Sequence, residues 1–315
     1  AWARALDAAI EPPPPTLRPA ARPEPRPPAE ARPRELPVTM VEKWVRDPYA
    51  VYAARILNLR SLDRPGAAME ATARGTAVHA AFERLVKEHP ELSPETTAAF
   101  EAMLLEELTR AGTPSARMAR ERPLAKNLAV WALEFETRRR ACSDVVVERQ
   151  GSLTFDAPFK PFTLTAKPDR LEVCEGVVHV LDFKTGSAPS AKAVKAGFYP
   201  QLTLAAAIAA RGGFPDVPAR PPGDLVYVRL TGRDPAGEEV VRVKAAESEA
   251  EADKALEGLK RRVAEFDDPS TPYRSWVAPQ FIGKFKGDFD HLARLYEWHV
   301  VGDGDGDADN GEGGE

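Results

Sequence analysis

The sequence predicts an α/β fold: a mixed β-sheet flanked by helices, preceded by a helical portion. Three observations point there. Apolar residues recur at helical spacing through most of 38–140, and from Val145 the pattern changes to that of strands. Two strand-like runs are joined at Glu175-Gly176, where Gly supplies the positive φ of a two-residue hairpin. After the hairpin, helix and strand patterns alternate, so the order reads αα–βββ–α–ββ–α.

Taken in order, residues 1–37 read as a linker. Eleven prolines fall between Pro12 and Pro37, interleaved with Arg and Glu, and such a segment cannot bury a core. The short Trp2–Ile10 stretch fits the end of a preceding helix. The opening Ala in place of Met points to a piece of a longer polypeptide. Residues 38–301 read as the folded domain, divided into a helical portion (38–140), an α/β core (141–266) and a C-terminal segment (267–301). The first helix covers Val38–Val45 with Thr39 as its cap, Asp47-Pro48 ends it, and Tyr49–Leu57 resumes a helical pattern. A second helix runs from about Ala71 to Glu88. There His79 shares a face with Phe82 and Val86, with Gly75 one turn earlier. A lone His on such a face is ordinarily a hydrogen-bonded core residue. The Arg117-Arg120-Arg122 and Arg138-Arg139-Arg140 clusters read as solvated faces.

In the strand half, Val145–Phe155 is one β-rich run with Glu148 inside it. Phe162–Val173 is interrupted by Pro168, which implies an edge or a bulge. A helix follows from about Pro200 to Arg211, Pro200 suiting its first turn. Asp224–Leu230 and Glu238–Lys244 are strands, and Glu247–Phe266 is a closing amphipathic helix. The Gly-rich tail 302–315 holds six acids and no base and reads as disordered.

Net charge is −5 over 315 residues; with the six acids of the tail set aside, the remainder is close to +1. A near-neutral total still leaves room for a basic face that binds nucleic acid. Two cysteines, Cys142 and Cys174, give no disulfide framework, which fits a reducing cytoplasm. No apolar run reaches membrane-spanning length, and no secretory segment opens the chain.

The hairpin carries the chemistry. With Glu175-Gly176 as the loop, Cys174 faces Val177, and the same register places Asp169 across from Asp182 and Lys167 across from Lys184. Two carboxylates at cross-strand distance repel unless a cation sits between them, and a hard divalent ion bound by oxygen is the economical answer. Asp182 and Lys184 share a face, so a lysine lies beside the proposed ion. A surface ion pair is the plain alternative, but Val180, Leu181 and Phe183 make this a buried strand where charge without purpose is costly. Two lysines facing each other are unfavourable, so Pro168 is expected to mark a bulge that turns Lys167 away.

His79 in Gly75-Thr76-Ala77-Val78-His79, Asp169 after Pro168, and Asp182-Phe183-Lys184 resemble the PD-(D/E)xK nucleases of the RecB-like group. The opening helices with Asp47-Pro48-Tyr49, and Asp288-Phe289-Asp290-His291-Leu292-Ala293-Arg294 near the end, are similar to the C-terminal nuclease domain of AddB. AddB is a subunit of a bacterial helicase–nuclease that processes double-strand breaks. The resemblance spans roughly 36–300 and implies a restriction-endonuclease-like core and a cytoplasmic, metal-dependent deoxyribonuclease, an exonuclease in repair and recombination. It implies Asp169, Asp182 and Lys184 as catalytic residues. Mg²⁺ or Mn²⁺ would be held by His79, Asp169, Asp182 and the Phe183 carbonyl, the imidazole favouring Mn²⁺ somewhat. Glu148 is a further acidic candidate.

Two departures stand out. Many relatives carry Cys where Asp47 stands, as one ligand of an iron–sulfur cluster; two cysteines cannot build a four-cysteine cluster, so none is expected. The opening helices are then expected to be held by Trp44, Tyr49 and Leu57. The family's Gln-xxx-Tyr is Gln201 with Ala205 here, leaving Gln201 as a substrate contact and Tyr199 as a substitute for the tyrosine or a packing residue. Expected partners are DNA, single-stranded, and an AddA-type subunit, with no membrane. Arg261-Arg262 and the stretch from Arg274-Ser275-Trp276 through Phe281-Ile282-Gly283-Lys284-Phe285-Lys286 mix bases with aromatics. They read either as a single-strand channel or as a segment packing its aromatics on the core. Two readings compete with the nuclease: a catalytically weak fold kept as a DNA-binding or structural module, and a metal hydrolase for another substrate.

Overall fold

The computed structural model describes residues 21–60, 70–282 and 287–299, so the Trp2–Ile10 helix and the acidic tail lie outside the described residues. The strands are β1 (Glu35–Pro37), β2 (Asp144–Val147), β3 (Gly151–Phe155), β4 (Phe162–Ala166), β5 (Arg170–Cys174), β6 (Val177–Lys184), β7 (Pro222–Leu230) and β8 (Gly237–Val243). The α-helices of five residues or more are α1 (Val38–Arg46), α2 (Glu70–Glu88), α3 (Glu95–Arg110), α4 (Ser115–Arg140), α5 (Ala191–Lys195), α6 (Gln201–Ala210) and α7 (Ala245–Asp267).

These strands form two sheets where the sequence reading expected one. The larger has the order β2-β5-β6-β7-β8 and is mixed: β6 and β7 run parallel, and the other pairs are antiparallel. The smaller has the order β1-β4-β3. The Val145–Phe155 run is broken at Glu148, whose φ of 52° turns the chain out of one sheet and toward the other. The chain crosses back between Ala166 and Arg170, through Pro168, whose missing N–H suits a residue outside both ladders. The β5–β6 register has Cys174 opposite Val177 and Arg170 opposite Leu181, as the hairpin arithmetic requires.

β6 and β7 are central strands with helices on both faces, which explains their nearly continuous apolar sequences. Val178, Val180, Leu225 and Tyr227 pack with α1, α6 and α7 through residues such as Trp44, Leu204 and Leu256. Leu181, Phe183, Val226 and Val228 pack on the other side with Phe82, Leu104, Leu128 and Phe135 of α2–α4. Among the described residues, no helix is long and apolar enough to cross a membrane.

Several local expectations are corrected. The linker does not extend to 37: Leu36 is fully buried, and β1 pairs parallel to β4. Arg32, also buried, donates to the carbonyls of Phe266, Asp268, Pro269 and Thr271, so this proline-rich segment is riveted to the end of α7. Thr39 does not cap α1; Pro37 stands at the cap position and no side chain supplies a bond. Trp44 and Tyr49 are buried as expected, but Leu57 is exposed, because the chain leaves its helical path after the π-helical turn Tyr52–Ile56. α5, capped by the Ser190 hydroxyl accepting from the Ala193 N–H, was not anticipated. Arg139 and Arg140 are committed to buried carboxylates rather than to solvent, whereas Arg117, Arg120 and Arg122 are exposed.

Candidate active site

The two aspartates lie at the same end of the larger sheet but are positioned by different means. Asp182 is on β6, with its side chain on the α6 face and only 3% exposed. Asp169 stands just outside β5, at the crossing between the sheets. Its Oδ2 accepts the Phe183 N–H at 2.6 Å, and its Oδ1 lies 3.1 Å from His79 Nδ1. Ninety residues of sequence separate that pair; the packing of α2 on Phe183, through Phe82 and the edge of the His79 ring, closes the gap.

Asp182 is held from two sides. Gln201, at the start of α6, donates its side-chain amide to Oδ1. Lys184 Nζ is 2.5 Å from Oδ2, a charge-assisted contact that engages this buried oxygen. Burial pushes the Asp182 carboxyl up to about 6; the Lys184 charge opposes the shift and the Asp169 charge adds to it. Burial disfavours the charged forms of Lys184 and His79 as well, but the neighbouring carboxylates outweigh it. Asp182 holds the Lys184 pKa above its ordinary value, and Asp169, with Asp182 behind it, does the same for His79.

The expected residues therefore come together in part. His79 joins Asp169, and Lys184 joins Asp182. Phe183 contributes its N–H to Asp169. Among the described residues, however, no three His, Cys, Asp or Glu side chains are gathered into a ready ligand set. The expected three-way convergence is thus two pairs, because internal partners occupy both carboxylates. Their chemistry still fits a hard dication: two carboxylates at one end of the sheet, one of them beside an imidazole.

Lys167 is turned out of the site, as the bulge argument requires, and pairs with Glu148. Glu148 is thereby committed to Lys167 rather than to the carboxylate cluster. Gln201, expected as a substrate contact, donates its side-chain amide to Asp182. Tyr199 packs against Phe281 with the Arg46 guanidinium 5.0 Å from its ring centroid, which is a packing role. Ala205 is core. Trp276 and Phe281 are buried too, so the packing reading holds for the described part of the C-terminal segment; 283–286 lie outside it.

Three features escaped the sequence reading. Tyr227, opposite Asp182 on the parallel strand β7, is fully buried with its ring centroid 5.4 Å from Lys184 Nζ, and its hydroxyl has no hydrogen-bond partner among the described residues. Glu42 on α1, paired with Arg46 at 2.8 Å, adds to the negative field at Lys184; its own pKa is raised by burial. Arg170, fully buried next to Asp169, bonds Glu136 at 2.7 Å and Glu172 at 2.5 Å, and Arg140 and Arg139 engage the far oxygens of those carboxylates. Within a strand or helix read one residue at a time, such charges look like surface; only the alternation of β5, which turns Arg170 and Glu172 to one face, hints at a network.

At the position of the family's cysteine, Asp47 Oδ1 accepts the Trp276 N–H at 3.1 Å. Trp276 Nε1 in turn donates to Asp290 Oδ1 at 2.7 Å, so α1 is tied to the C-terminal segment through polar contacts.

A family model described as "PD-(D/E)XK nuclease superfamily" matches residues 36–275. An uncharacterized protein of Rickettsia bellii (strain RML369-C) is 25% identical over 188 residues, which cover 58% of this chain and 22% of that protein. Uncharacterized protein RC0550 of Rickettsia conorii (strain ATCC VR-613 / Malish 7) is 24% identical over 192 residues, covering 58% of this chain and 23% of its own length. The chain thus spans less than a quarter of these relatives. The crystal structure of SSO0001 aligns over 71% of this chain and 76% of its own, at 12% identity and a TM-score of 0.30.

Proposed function

The chain belongs to the PD-(D/E)XK nuclease superfamily, and from that premise we propose that it is a metal-dependent deoxyribonuclease, the exonuclease domain of an AddB-type helicase–nuclease that acts on single-stranded DNA during double-strand break repair. The observation that carries the reading is the pairing of His79 with Asp169 and of Lys184 with Asp182 at one end of the β5–β6 hairpin. A superfamily model alone leaves the complex open. The AddB-type assignment, with an AddA-type partner and a cytoplasmic setting, rests on the Asp47-Pro48-Tyr49 and Asp288–Arg294 resemblances.

Asp169, Asp182, His79 and the Phe183 carbonyl would hold Mg²⁺ or Mn²⁺, which when bound supplies charge neutralisation for the phosphodiester and makes water easier to deprotonate. Gln201 fixes the Asp182 carboxylate from one side, and the Phe183 N–H fixes Asp169 from another. Lys184, kept protonated by Asp182 and Asp169, brings a positive charge to the oxygens that become more negative as the phosphorus is attacked. The Tyr227 ring beneath the ammonium and the nearby Glu42 add to the attractive field that keeps it there.

Cleavage of end-labelled single-stranded DNA with Mn²⁺ or Mg²⁺, compared with Asp182→Ala, tests this function. Metal-dependent cleavage that is lost in the variant is the expected result. DNA binding without cleavage by the wild-type protein would instead favour the non-catalytic module, the reading to which the buried Ala205 in place of the family's tyrosine lends weight.

A further inference from the structure

One residue past Lys184 the chain enters a polar cleft of about 430 Å³, beyond the C-terminal ends of the parallel strands β6 and β7. It is lined by Thr185, Gly186 and Ser187, by Arg74 and Glu121 of α2 and α4, and by Arg233 on the turn after β7. The carboxyl ends of parallel strands are where open α/β sheets ordinarily take their ligands.

The turn that carries Arg233 is built to stay in place. Gly232 has φ of 71°, and a Cβ there would lie 2.5 Å from the Leu124 carbonyl oxygen, so only glycine lets the turn approach α4 so closely. Asn127 donates to the Gly232 carbonyl at 3.2 Å, and Arg74 donates to the Thr231 carbonyl at 3.0 Å. The Thr231 hydroxyl accepts the Arg233 N–H at 3.0 Å. The charges around the cleft are mostly spent: Arg74 pairs with Glu121 and Arg229 with Glu238. The Arg233 guanidinium pairs with nothing among the described residues, although one hydrogen bond holds its own N–H and two more hold the carbonyls of Thr231 and Gly232 before it.

We propose that this cleft seats a phosphodiester of single-stranded DNA adjacent to the scissile one, with Arg233 and the hydroxyl-bearing Thr185–Ser187 wall as its contacts. The inference rests on the nuclease reading and goes beyond it by naming where the phosphate next to the scissile one is held. A guanidinium matches two phosphate oxygens at once, and hydroxyls and an exposed glycine backbone fit the same anion.

The test compares Arg233→Ala with Arg220→Ala, whose arginine is exposed just before β7. It lies at the opposite end of that strand, roughly 30 Å away at about 3.3 Å per residue. Binding of a fluorescein-labelled oligodeoxynucleotide is followed by anisotropy in EDTA over a salt series, and KM and kcat are measured with Mn²⁺. Expected for Arg233→Ala are a Kd and KM raised roughly tenfold, a salt slope smaller by about 0.7, and kcat within about twofold of wild type, with Arg220→Ala unchanged. Circular dichroism verifies that both fold. Wild-type affinity and KM in Arg233→Ala, or equal losses in both variants, overturn the cleft while leaving the nuclease reading intact. A wild-type protein that neither binds nor cleaves DNA overturns both.

Discussion

Trp276 donates its backbone N–H to the carboxylate of Asp47, 229 residues earlier, and its indole N–H to Asp290. The two carboxylates are both buried, and the Asp290 charge makes charging Asp47 less favourable. A polar clasp of this kind can join α1 to the C-terminal segment, but it makes the join sensitive to protons.

Burial pushes the Asp47 carboxyl up to about 6, the bonds from Trp276 and Ala50 opposing and Asp290 reinforcing the shift. The folded protein therefore binds a proton more tightly than the unfolded chain, whose aspartate titrates near 3.8. This group's contribution to stability is fully present below about pH 4 and is lost as pH rises to about 6. The loss is of order 2–3 kcal/mol. Asp47→Asn keeps an acceptor for Trp276 without the charge, so its stability difference from wild type should grow in its favour between pH 4 and 6. Urea denaturation at pH 4, 5, 6 and 7 measures it; a difference that stays flat removes the titration from Asp47.

At the active site the proton and the metal compete. Asp182, with its pKa near 6, and His79, raised by Asp169, must both lose protons before they can serve as ligands. Mn²⁺ affinity should fall about tenfold per pH unit below 6 for each proton displaced. Calorimetric titration from pH 5 to 8 gives the slope, and a pH-independent affinity would take both residues out of the ligand set.

Asp182→Ala and Lys184→Ala separate binding from chemistry. Both should abolish cleavage, but only Asp182→Ala should weaken Mn²⁺ binding; removing the ammonium should if anything strengthen it, since Lys184 occupies an Asp182 oxygen. Equal loss of metal affinity in the two variants would show that Lys184 acts by holding Asp182 in place.

Tyr227→Phe deletes a buried hydroxyl that has no hydrogen-bond partner among the described residues while keeping the ring under Lys184. The variant should be as stable as wild type or more so, by up to about 1 kcal/mol. A loss above that size in thermal denaturation would mean the hydroxyl is engaged.

Arg170→Ala should be the costliest of these changes, about 3–5 kcal/mol, because it leaves Glu136 and Glu172 buried without their shared cation. A chemical-denaturation midpoint close to wild type would show that Arg139 and Arg140 suffice for both carboxylates.

The hairpin was legible because its information is local: one turn residue fixes the register, and the register fixes which side chains face each other. That register holds from Arg170 to Cys174; Asp169 falls just outside it, on His79 and the Phe183 N–H. The outward turn of Lys167 followed from lysine repulsion at Pro168 rather than from the register. The position of His79 was legible only through resemblance, since nothing in α2 itself separates it from a core histidine. The split into two sheets was not legible. Val145–Val147 and Leu153–Phe155 are both β-favouring, and the polar Glu148–Gly151 stretch between them was read through, although the chain breaks there at the positive φ of Glu148. Arg233 was equally hidden, because a turn residue's worth depends on which helix the turn is fastened to.

β1 touches the rest of the sheet system through β4 alone, and β4 runs by way of Lys167 and Pro168 straight to Asp169. Asp182 and Lys184 sit on an interior strand of the other sheet. In mechanical terms, a pull on the polypeptide ahead of Glu35 is met first by the four carbonyls that Arg32 grips at the end of α7, which shields β4 and the carboxylate beyond it.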